Sequence, residues 1–297
     1  MSARAELCVV GSANLDLVAT TARLPGPGET VLGDSFAEYP GGKGLNQAVA
    51  AARTGTSTSL CACVGDDDAG RALRAVAQEA GIRDDHVSVA EGVPTGRALI
   101  AVAREESQNL IVVAPGANLA LSADAATEAV RGARVVLAQL EVPVAVVIAA
   151  FRAARRSGAM TILNPAPAEA ATDELLSLCD LVVPNQHEAA LLGGADAILG
   201  AGAGQVIVTL GARGSVLTGL GGDEQAVAPF AVAVADTTGA GDAYCGALAA
   251  ALAGGAEIRE ALRFASASGA LATTKPGAVP SLPDRDAIEE LLLAAAQ

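Results

Sequence analysis

The sequence is poor in aromatic residues and in positive charge. Only 2% of its 297 residues are Phe, Tyr or Trp, and Trp is absent altogether. This composition disfavours stacking platforms for nucleic-acid bases, aromatic sugar-binding grooves and the aromatic belts of membrane proteins. Lys and Arg number 19 against 33 Asp and Glu, which gives a formal net charge of -14. We therefore expect no nucleic-acid partner and no patch for an anionic membrane.

Patterns that bind metals through cysteine and histidine are also missing. The five cysteines are scattered, mostly inside apolar runs, and the two histidines lie far from them. We therefore expect buried free thiols in a reducing compartment and no zinc site. No apolar stretch reaches the roughly 18 residues of a membrane span, and Arg4 and Glu6 interrupt the start of the sequence where a signal peptide needs its apolar segment. These features predict a cytoplasmic protein.

Apolar segments of strand length are abundant. They begin at Leu7, Thr58, Arg134, Met160, Leu181 and Gln205. Segments with helical periodicity, such as 69–81 and 144–158, lie between most of them. Strands that are apolar throughout and alternate with helices are typical of a parallel sheet covered on both faces. With 52% hydrophobic residues to form a core, the chain is predicted to be a single doubly wound α/β domain over residues 1–297.

Two regions depart from this alternation, at about residues 13–40 and 95–114. Both resemble strand pairs with polar turns, and the charged sequence REESQN joins the second pair. We interpret them as a small β-sheet lid outside the main sheet, although the second region alone could be an ordinary edge hairpin. Because the apolar sequence LIVVA would leave this lid with an exposed apolar face, we also expect a homodimer that covers it.

Polar residues follow several of the predicted strands. Glu141, Asn164, Asn185, Glu188 and Thr209 each come at or just after an apolar run. One such residue alone is usually a helix cap or a turn residue. Ligands of open parallel sheets bind beyond the carboxyl ends of the strands, so the accumulation of these residues at one edge indicates a site there.

Near the start of the chain, two motifs suggest that the ligand carries hydroxyl groups. Asn14 and Asp16 are two residues apart, so their side chains point the same way in an extended chain and can bind neighbouring hydroxyls. The loop PGGKGLN contains Lys43 and Asn46 among glycines that allow close approach of the backbone. It differs from the Walker pattern, since Gly follows the lysine. The alternative for this loop is a flexible turn with a solvated lysine.

The sequence DTTGAGD at 236–242 precedes an apolar, alanine-rich helix. Gly239, Ala240 and Gly241 can present backbone N–H groups at a helix N-terminus, where the dipole attracts anions. Asp242, in the first turn, is placed to accept a proton while those N–H groups stabilise phosphoryl charge. The motif therefore predicts phosphoryl transfer to an alcohol, with an ordinary glycine turn before an acidic helix start as the alternative.

Together these motifs resemble the PfkB, or ribokinase, family of carbohydrate kinases over essentially the whole chain. The most specific are GGKGLNQA at 41–48 and DTTGAGD at 236–242, in the expected order. Other matching parts are GSANLD, PGETV, TGRALI, GAN, QLEVP, LNPAPA, PNQHEA, TLGARG and KPGAVPS. The segment LLGGADAILGAGAG after Asn185 is shorter than is usual in the family, and Ser266 stands where some members have a histidine near the adenine.

The resemblance implies ATP-dependent phosphorylation of the primary 5-hydroxyl of D-ribose, with Mg²⁺ and activation by K⁺. Asp242 is then the general base, and Gly239, Ala240 and Gly241 form the anion hole. The residues implied to contact the sugar are Asn14, Asp16, Gly42, Lys43, Gly44, Asn46 and Glu141. Those implied for Mg-ATP are Asn185, Glu188, Thr209, Gly211, Gly214, Gly241 and Ser266. Those implied for K⁺, mostly through carbonyl oxygens, are Asp236, Thr238, Ala272, Lys275, Gly277 and Ser281.

Two alternatives to this function remain. The same chemistry could act on another pentose, a ketohexose or a nucleoside, although the scarcity of aromatic residues near the lid disfavours a nucleoside base. A sugar-binding regulator without catalysis belongs to a different class of protein. The intact GAGD and NQHE sequences argue against a regulator.

Overall fold

Two β-sheets organise the chain in the computed structural model, which describes residues 5–104 and 108–295. The strands are β1 (Leu7–Val10), β2 (Asn14–Thr21), β3 (Ser35–Gly41), β4 (Thr58–Gly65), β5 (Arg83–Ala90), β6 (Gly96–Ala103), β7 (Gln108–Ala114), β8 (Val135–Ala138), β9 (Met160–Leu163), β10 (Leu181–Val182), β11 (Gln205–Thr209), β12 (Ser215–Gly219) and β13 (Glu224–Val227). The helices are α1 (Lys43–Arg53), α2 (Asp68–Glu79), α3 (Ala123–Ala129), α4 (Val144–Arg156), α5 (Asp173–Leu176), α6 (Gln186–Leu191), α7 (Ala195–Gly200), α8 (Ala240–Ala253), α9 (Ile258–Ala272) and α10 (Arg285–Ala294).

The larger sheet has nine strands in the order β13-β12-β11-β10-β9-β8-β1-β4-β5. The strands from β11 to β5 run parallel, and β12 and β13 add an antiparallel edge beside β11. Central strands such as β1 and β8 are buried at every position because helices cover both faces of the sheet. The predicted mainly parallel, doubly wound α/β fold is confirmed.

Side chains of β1 alternate between two separate hydrophobic cores. Leu7 and Val9 point to one face, where α1, α8 and α9 pack, and Cys8 and Val10 point to the other, where α3 and α4 pack. This alternation follows from the period of two of an extended strand. All five cysteines are free and buried, as the sequence predicted.

The smaller sheet has four strands in the order β3-β2-β6-β7. The pairs β2–β3 and β6–β7 are antiparallel, as predicted, and the two pairs join through parallel pairing of β2 with β6. Within the sequence REESQN, residues 105–107 lie outside the described residues. One face of the sheet is largely apolar and exposed, with Leu99 of β6 and Leu110 and Val112 of β7 about half accessible to solvent.

Strands β5, β12 and β13 were not predicted, and the segment after Asn185 folds into the two short helices α6 and α7. The edge strand β5 has the sequence RDDHVSVA. Its charged residues interrupt the apolar run that would otherwise predict a strand. Within residues 5–104 and 108–295, no helix has the length and apolar character needed to cross a membrane.

Candidate active site

The chain passes from the larger sheet to the smaller one through residues 11–13, between β1 and β2. Asn14, the first residue of β2, is buried, and its Oδ1 accepts a hydrogen bond of 2.7 Å from Nδ2 of Asn118. Oδ1 of Asn118 in turn accepts from the backbone N–H of Ala13 at 3.0 Å. The Asn14 amide is therefore fixed where the two sheets meet, with its oxygen already bonded.

Asp16 lies on the face of the smaller sheet that looks into the cleft. A Cβ atom at Gly41, on the neighbouring strand β3, would lie 2.2 Å from Asp16 Oδ2, so a larger residue there would displace the Asp16 carboxylate. Burial, together with the nearby carboxylates of Glu141 and Asp242, raises the pKa of Asp16 to about 7. This electrostatic coupling places three predicted site residues from three parts of the chain in one cleft.

The glycine-rich loop packs against the end of β1 and leads into α1. Gly42 is the N-cap of α1, and Gly44 is so close to Gly11 that a Cβ on Gly44 would lie 2.5 Å from the Gly11 carbonyl carbon. Glu141, after β8, accepts from the hydroxyl of Ser12 and from the backbone N–H of Lys43. The loop and the end of β8 are thus joined through a single carboxylate.

The Lys43 side chain lies among carboxylates. Burial opposes its charge, but Asp242, Glu141 and Glu188 outweigh that penalty and raise the pKa of Lys43 above its usual value. The ammonium group therefore stays charged in the cleft. A cation at this position offsets the repulsion between the acidic groups around it and can bind an oxygen of an anionic ligand.

Asp242 stands in the first turn of α8 and receives two side-chain hydrogen bonds from α1. Nδ2 of Asn46 donates to its Oδ2 and Nε2 of Gln47 donates to its Oδ1, each at 2.9 Å. Burial raises the pKa of Asp242, although Lys43 and the two amides act in the opposite direction. A half-buried carboxylate with a raised pKa beside a lysine has the properties of a general base.

The N-terminus of α8 lies next to that carboxylate. Gly239 is its N-cap, with φ of 78° in the left-handed region, and no side chain caps the helix. The N–H groups of the first turn have no acceptor within the helix. Gly241 therefore presents a backbone donor beside Asp242, at the positive end of a 14-residue helix, whereas the N–H of Ala240 already donates to the Thr237 carbonyl at 3.3 Å.

Asn185 and Glu188 form a capping box at the start of α6. Oδ1 of Asn185 accepts from the Glu188 N–H at 2.9 Å, and Oε2 of Glu188 accepts from the Asn185 N–H at 2.8 Å. Burial raises the pKa of Glu188 above its usual value. Lys43 lowers this pKa and Asp242 raises it, so the Glu188 carboxylate lies near both groups in the same cleft.

The residues predicted to bind the nucleotide lie beside Asn185 or on α9. Thr209 ends β11 and forms a parallel bridge with Asn185. The turn from Gly211 to Gly214 follows directly, with an exposed backbone at Gly211. Ser266 lies apart from these residues, buried on α9, and among the described residues its Oγ has no hydrogen-bond partner.

The residues predicted to bind K⁺ come from two segments that meet. Asp236 accepts from the N–H and the hydroxyl of Thr238 at 2.9 and 2.7 Å and from the N–H of Gly277 at 2.9 Å. Burial disfavours the Asp236 charge, but these N–H groups outweigh it and lower the pKa of Asp236. Ala272 ends α9, Lys275 is exposed, and Ser281 is buried with its hydroxyl bonded to the Ala278 carbonyl.

Several polar residues of the site were not predicted from the sequence. Ser12 bonds to Glu141, Asn118 to Asn14, and Gln47 to Asp242. Gln139, at the end of β8, bonds to Gln47. The signals were present, since Gln47 follows Asn46 directly and Asn118 belongs to the sequence GAN. The partners of these residues, however, are 92 to 195 residues away in the chain.

A sheet edge that brings together a carboxylate, an open helix N-terminus and buried polar side chains suits a kinase for small hydroxylated substrates. A model of the pfkB family of carbohydrate kinases matches residues 4–285. The chain belongs to this family and is an ATP-dependent carbohydrate kinase.

Within the family, the chain is similar to ribokinases over nearly its whole length. It is 38% identical to the ribokinase of Haemophilus influenzae and 39% identical to that of Bacillus subtilis, with 97% of this chain and 99% of each relative covered. The Arabidopsis thaliana ribokinase complexed with ribose and ATP matches its fold with a TM-score of 0.87 at 34% identity, covering 98% of this chain and 99% of that one. The predicted family and fold are confirmed.

Proposed function

We propose that this kinase transfers the phosphoryl group of ATP to the primary 5-hydroxyl of D-ribose. The observation that carries the proposal is the position of Asp242, a carboxylate bonded by two amides beside the open N-terminus of α8. The similarity to ribokinases, one of which was solved with ribose and ATP, supports ribose as the substrate. A kinase for another pentose or a ketohexose is the second candidate.

The sugar is proposed to lie between the smaller sheet and α1. Oδ1 of Asn46 is buried and, among the described residues, has no hydrogen-bond donor, so a sugar hydroxyl would satisfy it. Asp16 and Asn14 face the same space from β2 and fit neighbouring hydroxyls. The remaining proposed sugar contacts are Gly42, Lys43, Gly44 and Glu141.

In the proposed reaction, Asp242 accepts the proton of the 5-hydroxyl as the sugar oxygen forms its bond to phosphorus and ADP leaves. The N–H groups of Gly239, Ala240 and Gly241 stabilise the charge on the phosphoryl oxygens. A well-placed base is worth about 10²–10⁴ in rate, whereas holding both substrates in line can supply roughly 7–11 kcal/mol. Positioning is therefore the larger contribution in a loose phosphoryl transition state.

Mg-ATP is proposed to occupy the side of the cleft formed by α6, β11 and α8. The carboxylate of Glu188 and the amide oxygen of Asn185 are hard oxygen ligands of the type that Mg²⁺ and its water shell prefer. When bound, Mg²⁺ would neutralise phosphate charge. Thr209, Gly211, Gly214, Gly241 and Ser266 are proposed to contact the nucleotide.

The K⁺ site is proposed between the segment at 236–238 and the segment at 272–281. The two fit a shared cation because the Thr273 carbonyl accepts from the N–H groups of Ala235 and Asp236, which holds them side by side. The ligands would be mainly backbone carbonyl oxygens of Thr238, Ala272, Lys275, Gly277 and Ser281, with the ionised Asp236 supplying charge.

We further propose that the smaller sheet is a lid of the single domain and that its apolar face forms a homodimer. Exposed Leu99, Leu110 and Val112 on that face are the observation behind this proposal. Light scattering at micromolar concentration should then give the mass of a dimer. A monomer alone at that concentration would contradict the shared lid.

The proposed reaction is tested by ATP consumption with Mg²⁺ across a panel of pentoses, ketohexoses and nucleosides. Each substrate is run with K⁺ and with a bulky organic cation in its place. We expect turnover on D-ribose that depends on K⁺. Turnover on another sugar would move the specificity to the second candidate, and sugar binding without turnover on any substrate would indicate a regulator.

A further inference from the structure

Three side-chain amides form a continuous hydrogen-bonded path from the larger sheet to Asp242. Nε2 of Gln47 donates both to Oδ1 of Asp242 at 2.9 Å and to Oδ1 of Asn164 at 3.1 Å. Nε2 of Gln139 donates to Oε1 of Gln47. Asn164 follows β9 and Gln139 follows β8, so two strand ends of the sheet fix the one amide that contacts the carboxylate.

The hydrogen bonds leave this path with a single orientation. Nδ2 of Asn164 donates to the Val183 carbonyl at 3.0 Å, which turns Oδ1 of Asn164 toward Gln47. A reversed Gln47 amide would set its oxygen against two acceptors, the Asn164 oxygen and the Asp242 carboxylate. The Gln47 NH₂ group must therefore point at Asp242. The Gln47 oxygen that remains is an acceptor, so Gln139 can form a hydrogen bond with it only by donating.

Packing fixes Gln47 as firmly as its hydrogen bonds do. Gln47 and Gln139 are 0% exposed. A Cβ on Gly246, one turn after Asp242 in α8, would lie 2.5 Å from the Gln47 carbonyl oxygen, so this glycine lets α1 and α8 approach closely. Among the described residues, Oε1 of Gln139 has no donor, so the path places an uncompensated polar atom in the core. Such a cost is typical of polar groups that serve function.

We propose that Gln47 is the positioning residue of the general base, fixing the plane of the Asp242 carboxylate and favouring its ionised form. This role rests on the proposed function. One carboxylate oxygen is bonded by Asn46 and the other by Gln47, so rotation about the Cβ–Cγ bond would break both contacts. The lone pairs that remain are then directed into the cleft, toward the hydroxyl that loses its proton.

The test compares Gln47→Met and Gln47→Glu with the wild type in the pH dependence of kcat. The charged groups that face Asp242 are Lys43 on α1, Glu141 after β8, Glu188 on α6 and Asp16 on β2, all unchanged in these variants. Gln78→Met, on the exposed side of α2, is the matched control. We expect Gln47→Met to lower kcat by about 10-fold or more, since it removes a hydrogen bond to a charged group, with KM for sugar and ATP changed by less than about threefold.

The acid limb of the profile separates positioning from a merely structural role. Loss of the donor should move that limb to higher pH by about one unit, and Gln47→Glu should move it further because two carboxylates then adjoin. If Gln47→Met does not unfold cooperatively, and so is not properly folded, the isosteric Gln47→Glu tests the role of Gln47 alone. An acid limb and kcat that match the wild type in the folded variants would overturn the proposal.

A readout without turnover distinguishes this proposal from the proposed function. The ¹³C resonance of the Asp242 carboxyl, assigned with Asp242→Asn, is titrated in the wild type and in Gln47→Glu. A higher pKa of Asp242 in the variant is the expected result, and equal pKa values overturn the role of Gln47. If the wild type phosphorylates no sugar, the proposed function fails whatever the titration shows, and the role in catalysis fails with it.

Discussion

On one side of Asp242 the cleft is lined by buried side-chain amides and carboxylates, and on the other by glycines and backbone N–H groups. We call the first side, with Asn14, Asp16 and Asn46, the sugar half, and the second, at the N-terminus of α8 and the segment at 236–238 before it, the phosphate half. Hydroxyl groups require donors and acceptors at fixed positions, which packed side chains supply. Phosphate charge is spread over several oxygens, and a helix N-terminus recognises it through the backbone alone. The two halves thus differ because their proposed ligands differ.

The largest effect is expected at Asp242, where the two halves meet. Asp242→Asn removes the proposed proton acceptor but keeps the shape of the side chain, so kcat should fall by about 10²–10⁴ with little change in sugar affinity. The measurement is steady-state kinetics together with sugar binding by calorimetry. Asp286→Asn, in the first turn of α10, is the matched control. A kcat near that of the wild type would remove Asp242 from the role of base.

The contact between α1 and α8 can be broken without changing any polar group. Gly246→Ala sets a methyl group 2.5 Å from the Gln47 carbonyl oxygen and 2.7 Å from Cβ of Ala50, so the helices must separate. We expect a loss of about 1–3 kcal/mol in the free energy of unfolding and a kcat about 10-fold lower. Denaturant unfolding and kinetics measure both. Gly254→Ala, at the end of the same helix with contacts of 3.4 Å or more, is the control and should match the wild type.

In the phosphate half, Asp236→Asn should change the response to K⁺ while leaving the sugar half intact. Replacing the carboxylate by an amide removes its negative charge. The new NH₂ group would also face the N–H of Gly277 or of Thr238, so that two hydrogen-bond donors oppose each other. We expect activity in K⁺ to fall to the level that the wild type shows in a bulky organic cation, with KM for the sugar unchanged. Full activation by K⁺ in the variant would show that the cation binds elsewhere.

The smallest effect concerns stability in the absence of ligand. The pKa of Asp16 rises from 3.8 to about 7 on folding, so between these values the folded state binds a proton that the unfolded chain releases. Asp16 therefore lowers the stability as pH rises from about 4 to 7. Asp16→Asn should stabilise the free enzyme by about 1–3 kcal/mol at pH 8 and have little effect at about pH 3. Thermal unfolding measured across pH tests this expectation, with the exposed Asp223→Asn as the control. Equal stabilities of Asp16→Asn and the wild type at pH 8 would contradict it.

The parts of the fold that could be predicted are those with a strong local pattern. Strands β1, β4 and β8 are buried on both faces, and their continuous apolar sequences predicted them directly. The unpredicted β5 and β13 lie at the two edges of the larger sheet, where one side meets solvent and polar residues are tolerated. Edge strands of this kind lack the sequence signal that a buried strand carries.

In the site, Asn14, Asp16, Lys43, Asn46 and Asp242 were predicted from their motifs, whereas the buried amides of Gln47, Gln139 and Asn118 were not. Gln47, Gln139 and Asn118 act through hydrogen bonds to residues that are far away in the chain, and a side-chain amide by itself indicates no chemistry. Their roles depend on which strand ends become neighbours. That arrangement follows from the order of strands in the sheet, which local sequence patterns do not determine.

All five native thiols lie inside the protein, and burial raises the pKa of Cys8 to about 11 and those of Cys61, Cys179 and Cys245 as well. A maleimide dye therefore finds little reactive thiolate on the native chain at neutral pH. Leu32, between β2 and β3, is 92% exposed, so Leu32→Cys would carry such a dye alone. Its fluorescence would then report whether the smaller sheet moves when sugar is added, with no native cysteine removed first.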